Sequence, residues 1–132
     1  MLIGIPLETT AGESRVAVTP ETVKKLKAQG HTLRVQSGAG VAASVTDEAY
    51  VAAGAEITDV PGALGTEMVL KVRSPNADER ALMKPGAVYL NSARAGLHDV
   101  ESLVAALDSC HLAAAALDHV DGLVDTPVDD WL

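Results

Sequence analysis

A chain of 132 residues with one cysteine, Cys110, has room for a single core and excludes an internal disulfide framework; with no Phe and 2% aromatic residues, that core is built of Val, Leu, Ile and Ala. A formal charge of −8 argues against nucleic acid or an anionic membrane surface as partner, and the longest apolar runs fall far short of a bilayer span. No basic-then-apolar leader opens the sequence, so a soluble cytoplasmic protein is the expectation.

Leu2 to Pro6 reads as a short apolar strand that the proline closes, followed by a polar loop from Leu7 to Arg15. Thr19, Pro20 and Glu21 supply an N-cap, a first-turn proline and a first-turn acid. The helix they open carries Lys24, Lys25 and Lys27 toward its negative end and stops at Gly30. His31 to Gln36 alternates as a second strand. The following Ser37-Gly38-Ala39-Gly40-Val41-Ala42-Ala43 is a loose G-x-G-x-x-A, the pattern that lets a pyrophosphate approach a helix N-terminus. That pattern needs a helix opening directly after the glycines. Here the better cap is Thr46 with Asp47 and Glu48 behind it, so the glycines read as a plain loop. A helix ending at Gly54, a minor strand at Ala55 to Ile57, a turn or short helix over Val60 to Glu67 and a buried strand from Met68 to Val72 complete this region.

Residues 83–122 repeat the scheme. Lys84-Pro85-Gly86 is turn chemistry and Ala87 to Leu90 a buried strand, after which Asn91 to Gly96 forms a polar loop at the strand's carboxyl end, where open parallel sheets bind ligands. Asp99 caps a helix whose Val100, Leu103, Val104 and Leu107 form one apolar stripe, and Leu112 to Leu117 is another buried strand ending at Asp118. Strand–helix alternation of this kind predicts a three-layer α/β sandwich, a doubly wound parallel sheet of about five main strands. A flavodoxin-like strand order of 2-1-3-4-5 is preferred to a Rossmann-like one. One domain over residues 1–122 and a tail over 123–132 are expected.

Two family resemblances cover the chain. Residues 1–82, with the stretches GIPLE, ESRVAVTP, GHTL and MVLKVRSP, resemble the N-terminal domain of the alanine dehydrogenase and NAD(P) transhydrogenase α subunit family. Residues 83–122, with Asn91-Ser92-Ala93-Arg94 and the Ala-Ala-Leu-Asp ending at Asp118, resemble the cofactor domain of D-2-hydroxyacid dehydrogenases. The first resemblance implies that Arg15 holds a substrate carboxylate. It puts Arg73 where alanine dehydrogenases carry a catalytic lysine, and Lys71 just before it. It also puts Asn91-Ser92 where they carry a histidine. An arginine does not give up its proton near neutral pH, so the amino-acid chemistry is not expected and the transhydrogenase is the nearer relative. The second resemblance implies a substrate carboxylate on Arg94, whose planar fork suits one, and cofactor contacts from Asn91 and Asp118.

Together they imply an NAD(H)- or NADP(H)-dependent oxidoreductase component that partners a cofactor-binding domain or forms a homodimer, without turnover alone and with no catalytic residue of its own. The meeting of the two near Leu82 to Val88 implies a chimera. An engineered or recombined α/β scaffold with no activity is the alternative. Each residue also has an ordinary reading: Arg15 solvated, Arg94 bonding loop carbonyls, Lys71 and Arg73 on the sheet rim, Asp118 capping a turn. His31, His98, His111 and His119 show no ligand spacing with Cys110, and Asp125, Asp129 and Asp130 read as a solvated tail, so no metal site is expected.

Overall fold

Four helix starts in the first two thirds of the chain are set by a side chain immediately before them. Thr19, Thr46, Asp59 and Asn76 each accept a hydrogen bond from a backbone N–H three residues on, which stabilises each start by about 1 kcal/mol. The helices they open alternate with short strands in a computed structural model that describes residues 1–91 and 100–117. The chain divides into two compact units, Met1–Lys84 and Pro85–Leu132.

The N-terminal unit runs β1 (Leu2–Ile5), α1 (Pro20–Ala28), β2 (Thr32–Gln36), a single turn of 3₁₀ helix (Val41–Ala43), α2 (Asp47–Ala53), β3 (Glu56–Thr58), α3 (Val60–Leu64), β4 (Met68–Val69) and α4 (Ala77–Leu82). Its sheet has the order β3-β2-β1-β4, every pair parallel, with Ile3 opposite Leu33 and Met68. Alternation along β1 divides the layers. Ile3 and Ile5 join a core with Val18, Val23, Leu33, Val35, Tyr50 and Ala53, drawn from the sheet and from α1 and α2. Gly4 turns the other way, onto α3. A Cβ there would stand 1.8 Å from the Ala63 carbonyl oxygen, so only glycine lets helix and strand approach so closely. The buried Tyr50 hydroxyl donates to the Val18 carbonyl at 2.8 Å and ties α2 to the segment leading into α1; burial pushes its pKa up.

The C-terminal unit contains β5 (Ala87–Asn91), α5 (Val100–Asp108) and β6 (Leu112–Leu117), with β5 and β6 parallel and Val88 opposite Ala114. The β-α-β reading of this stretch matches these elements. Asp99 and the loop 92–98 lie outside the described residues, as do Arg94, Asp118 and the tail 123–132.

The α/β class and the parallel sheet agree with expectation, and the expected order 2-1-3 appears as β2-β1-β4 with the minor strand β3 on its edge. Two points differ. The last two expected strands pair with each other in a separate two-stranded sheet, β5-β6. The expected strand Met68 to Val72 shrinks to Met68–Val69. Its later amides are taken by a side chain: the Val72 and Arg73 N–H groups donate to the Glu8 carboxylate at 2.6 and 3.2 Å, which draws this backbone out of the ladder.

Candidate functional site

Because β1 and β4 are parallel neighbours, the loop after β1 and the segment after β4 leave the sheet at the same end. Three acidic and three basic side chains meet there. Glu8 opens the first loop, and its side chain, 2% exposed, accepts from the two backbone amides just named. The Lys71 ammonium, 6% exposed, lies 3.4 Å from a Glu8 oxygen and 2.9 Å from Glu79 Oε1. Glu79 faces it from the first turn of α4. Its Oε2 accepts from the Asn76 N–H while the Asn76 side chain accepts from the Glu79 N–H, a reciprocal cap that fixes the carboxylate against the lysine. Thr9 adds a weak hydroxyl contact to Glu79 at 3.4 Å. Two carboxylates around one ammonium leave an excess negative charge, and the backbone donors on both glutamates offset the cost of burying it.

Beside this buried cluster stands an open one. Glu13 Oε1 accepts from the Arg15 backbone N–H at 2.9 Å and from Arg15 Nε at 2.8 Å. Glu13 Oε2 accepts from an Arg15 terminal nitrogen and from Arg73 Nε, each at 2.7 Å. One carboxylate thus holds two guanidinium groups side by side. The Arg15 side chain, then its own backbone N–H, hold the Glu13 carboxyl far below the usual carboxylate range, with Arg73 adding to them against the cost of desolvation. The same pairing raises the pKa of Arg15. Glu13 itself is closed off, while the Arg15 and Arg73 side chains are 65% and 40% exposed. The two arginines therefore present a cationic surface to solvent, in a geometry suited to a carboxylate or another planar anion.

Arg15, Lys71 and Arg73 are thus brought to one place, with Lys71 engaged inside by glutamates and the arginines facing out. Asn91 ends β5 in the other unit, and Arg94 and Asp118 lie outside the described residues. Glu8, Glu13 and Glu79 escaped the sequence reading. The Asn76–Glu79 spacing was the available signal for one, and the glutamate two residues before Arg15 for another.

The glycine loop has a different occupant from a phosphate. The Gly38 N–H and the Ser37 hydroxyl both donate to Asp47, at 2.9 and 2.7 Å, and hold its carboxyl below the usual range, the amide contributing more. A Cβ on Gly40 would meet Val45 and the Tyr50 ring, so this glycine serves packing. The 3₁₀ turn that follows is three residues long. This loop does not fit the pyrophosphate of a dinucleotide, and it agrees with the plain loop expected. Among the described residues no group of His, Cys, Asp and Glu has the arrangement of a metal site, and no helix is long and apolar enough to cross a membrane.

A parallel sheet with helices on its faces, and a basic pair where strand ends converge, define a Rossmann-like α/β domain with an anion-receptive edge. The family model described as "Alanine dehydrogenase/PNT, N-terminal domain" matches residues 4–126, and the chain belongs to that family. It is 46% identical over 97 residues to the first of the separate polypeptides that make up the NAD(P) transhydrogenase α subunit of Rhodospirillum rubrum, covering 68% of this chain and 25% of that protein. The solved structure of the transhydrogenase from Sinorhizobium meliloti is similar with a TM-score of 0.73 at 32% identity, over 86% of this chain and 32% of that one. A phosphoglycerate oxidoreductase from Rhizobium etli is similar with a TM-score of 0.54 at 19% identity, over 97% and 38%, a likeness of fold alone. The chain spans about a quarter of the length of the curated relatives it matches.

Proposed function

We propose that the chain is the substrate-side first domain of a nicotinamide-dependent oxidoreductase, closer to the transhydrogenase α subunit than to alanine dehydrogenase. It is active in the cytoplasm against a separate cofactor-binding domain. The observation that carries this reading is the pair Arg15 and Arg73 on Glu13, two exposed guanidinium groups at the carboxyl ends of adjacent parallel strands. Arg15 binds the carboxylate of a small oxo acid. Lys71 is the counter-ion that fixes the two strand-end segments to each other, so it positions the arginines and does not meet the ligand. Arg73 stays protonated at any pH the fold survives, so it binds and moves no proton. The nicotinamide cofactor, NAD(H) or NADP(H), would supply the hydride when bound. The glycine loop does not hold it, and the second domain does. Arg94, Asn91 and Asp118 belong to the face turned toward that domain.

The hydroxyacid dehydrogenase resemblance of residues 83–122 is supported by a distant likeness of fold alone. A family model running unbroken from residue 4 to 126 favours one continuous domain over a chimera joined near residue 82.

The test is an NMR titration of the labelled chain with pyruvate, NAD and NADH. Saturable pyruvate shifts centred on Arg15 and Arg73, with none at Ser37 to Gly40, are expected. A nicotinamide absorbance assay of the chain alone with pyruvate or glyoxylate is expected to show no turnover. Saturable NADH shifts at the glycine loop, or hydride transfer by the chain alone, would overturn the reading.

A further inference from the structure

The arginine pair has more binding capacity than one carboxylate uses. Arg15 spends its Nε edge on Glu13, and Arg73 spends only Nε. Among the described residues their other N–H groups meet no protein acceptor. Arg73 thus keeps the whole fork of its two terminal nitrogens, and Arg15 keeps its outer edge. Both groups touch the same Glu13 oxygen at 2.7 Å, so two donor edges lie side by side with one carboxylate between two positive charges. That leaves a local excess of one positive charge and a repulsion that a single bound carboxylate only partly relieves.

We infer that this site selects a small dicarboxylate, one carboxylate on the outer edge of Arg15 and the second on the fork of Arg73. The inference rests on the reading of Arg15 as a carboxylate-binding residue and adds to it the class of ligand. A lysine at position 73 would offer a compact charge in place of the fork, and the second carboxylate would lose its two parallel hydrogen bonds. The buried Glu8–Lys71–Glu79 cluster sets the position of Arg73, because Glu8 grips the Arg73 backbone N–H.

Acetate and malonate, which differ by one carboxylate, are the direct probes, with pyruvate as the third. Titrated into the 132-residue chain at constant ionic strength and read on the arginine Nε–H signals, malonate is expected to bind at least about tenfold tighter than acetate, since one added charge-assisted pair of hydrogen bonds supports that much. In Arg73→Lys the malonate advantage should fall severalfold while acetate and pyruvate still move the Arg15 signal. Equal affinities for malonate and acetate in the unmodified chain, with pyruvate still binding at Arg15, would overturn the dicarboxylate inference and leave the oxo-acid reading standing. If none of the three moves either arginine, both fall. An Arg73→Lys chain that keeps a dispersed spectrum and its full malonate preference would also overturn the inference, because charge alone would then account for it.

Discussion

Ile3 and Ile5 of β1 are 3% and 0% exposed, whereas Val88 and Leu90 of β5, on an equally apolar strand, are 57% and 70% exposed. The difference lies in the layers around each strand. β1 is an inner strand with β2 on one side and β4 on the other, covered by α1 and α2 on one face and by α3 on the opposite face. β5 pairs with β6, whose Ala113 to Ala116 have little side chain to bury; among the described residues of this unit, Leu103 of α5 and Leu112 of β6 are the buried apolar side chains. An apolar run therefore announces a strand, but burial comes from its flanking layers. Hydrophobic stabilisation per strand is correspondingly larger in the N-terminal unit.

The sharpest way to break that contrast uses one glycine from each unit. Gly4→Ala puts a Cβ 1.8 Å from a backbone oxygen of α3, which no side-chain movement relieves, so loss of the cooperative unfolding transition is expected. Gly86 has φ +80° with open space around its Cβ position, so Gly86→Ala costs only the backbone preference, about 1–2 kcal/mol. Chemical denaturation followed by circular dichroism compares them. A Gly4→Ala chain as stable as the Gly86→Ala chain would mean that the approach of α3 to β1 is not as close as described.

Next in size is a pair of truncations. Leu33, 1% exposed, packs in the sheet core, and Leu33→Ala is expected to destabilise by about 2–5 kcal/mol through lost burial and the cavity left behind. Leu90→Ala should change stability by less than about 0.5 kcal/mol, as exposed positions do. Urea midpoints of the two variants decide it. A Leu90 cost approaching that of Leu33 would show that β5 is covered in solution.

How far the sequence could be read follows the same physics. Caps and glycine stops are local, and Thr19, Thr46 and Gly54 marked their helices correctly because each acts on backbone groups within one turn. The early end of β4 was hidden, since its cause is a carboxylate more than sixty residues away in sequence. Lys71 and Arg73 looked like equivalent rim residues; their separation into buried and exposed positions depends on Glu8, Glu79 and Glu13, which converge only in the fold. Of the candidate residues, Arg15 and Arg73 were legible through a family motif. Their shared carboxylate was legible only in three dimensions.

Acid offers the finest comparison between the units, because the two carboxyls with depressed pKa values, Glu13 and Asp47, both belong to the N-terminal one. A carboxyl whose folded pKa lies below its unfolded value contributes stability that is fully present above the unfolded value, about 4.3 for glutamate. That contribution is lost as pH falls toward the folded value. Lowering the pH from 6 to 3 should therefore weaken the N-terminal unit. Some of that loss should vanish in Glu13→Gln, which carries no charge to neutralise. At pH 6 the variant is the less stable chain, because the glutamine amide cannot hold two guanidinium groups as a carboxylate does; toward pH 3 the two chains should converge. Urea unfolding followed by NMR at both pH values, read separately on the Ile5 and Leu117 amides, tests this. The difference between wild type and variant should shrink with acid at Ile5 and stay small throughout at Leu117. A gap at Ile5 that is as wide at pH 3 as at pH 6 would mean that packing of the Glu13 side chain, and not its charge on Arg15 and Arg73, holds the loop.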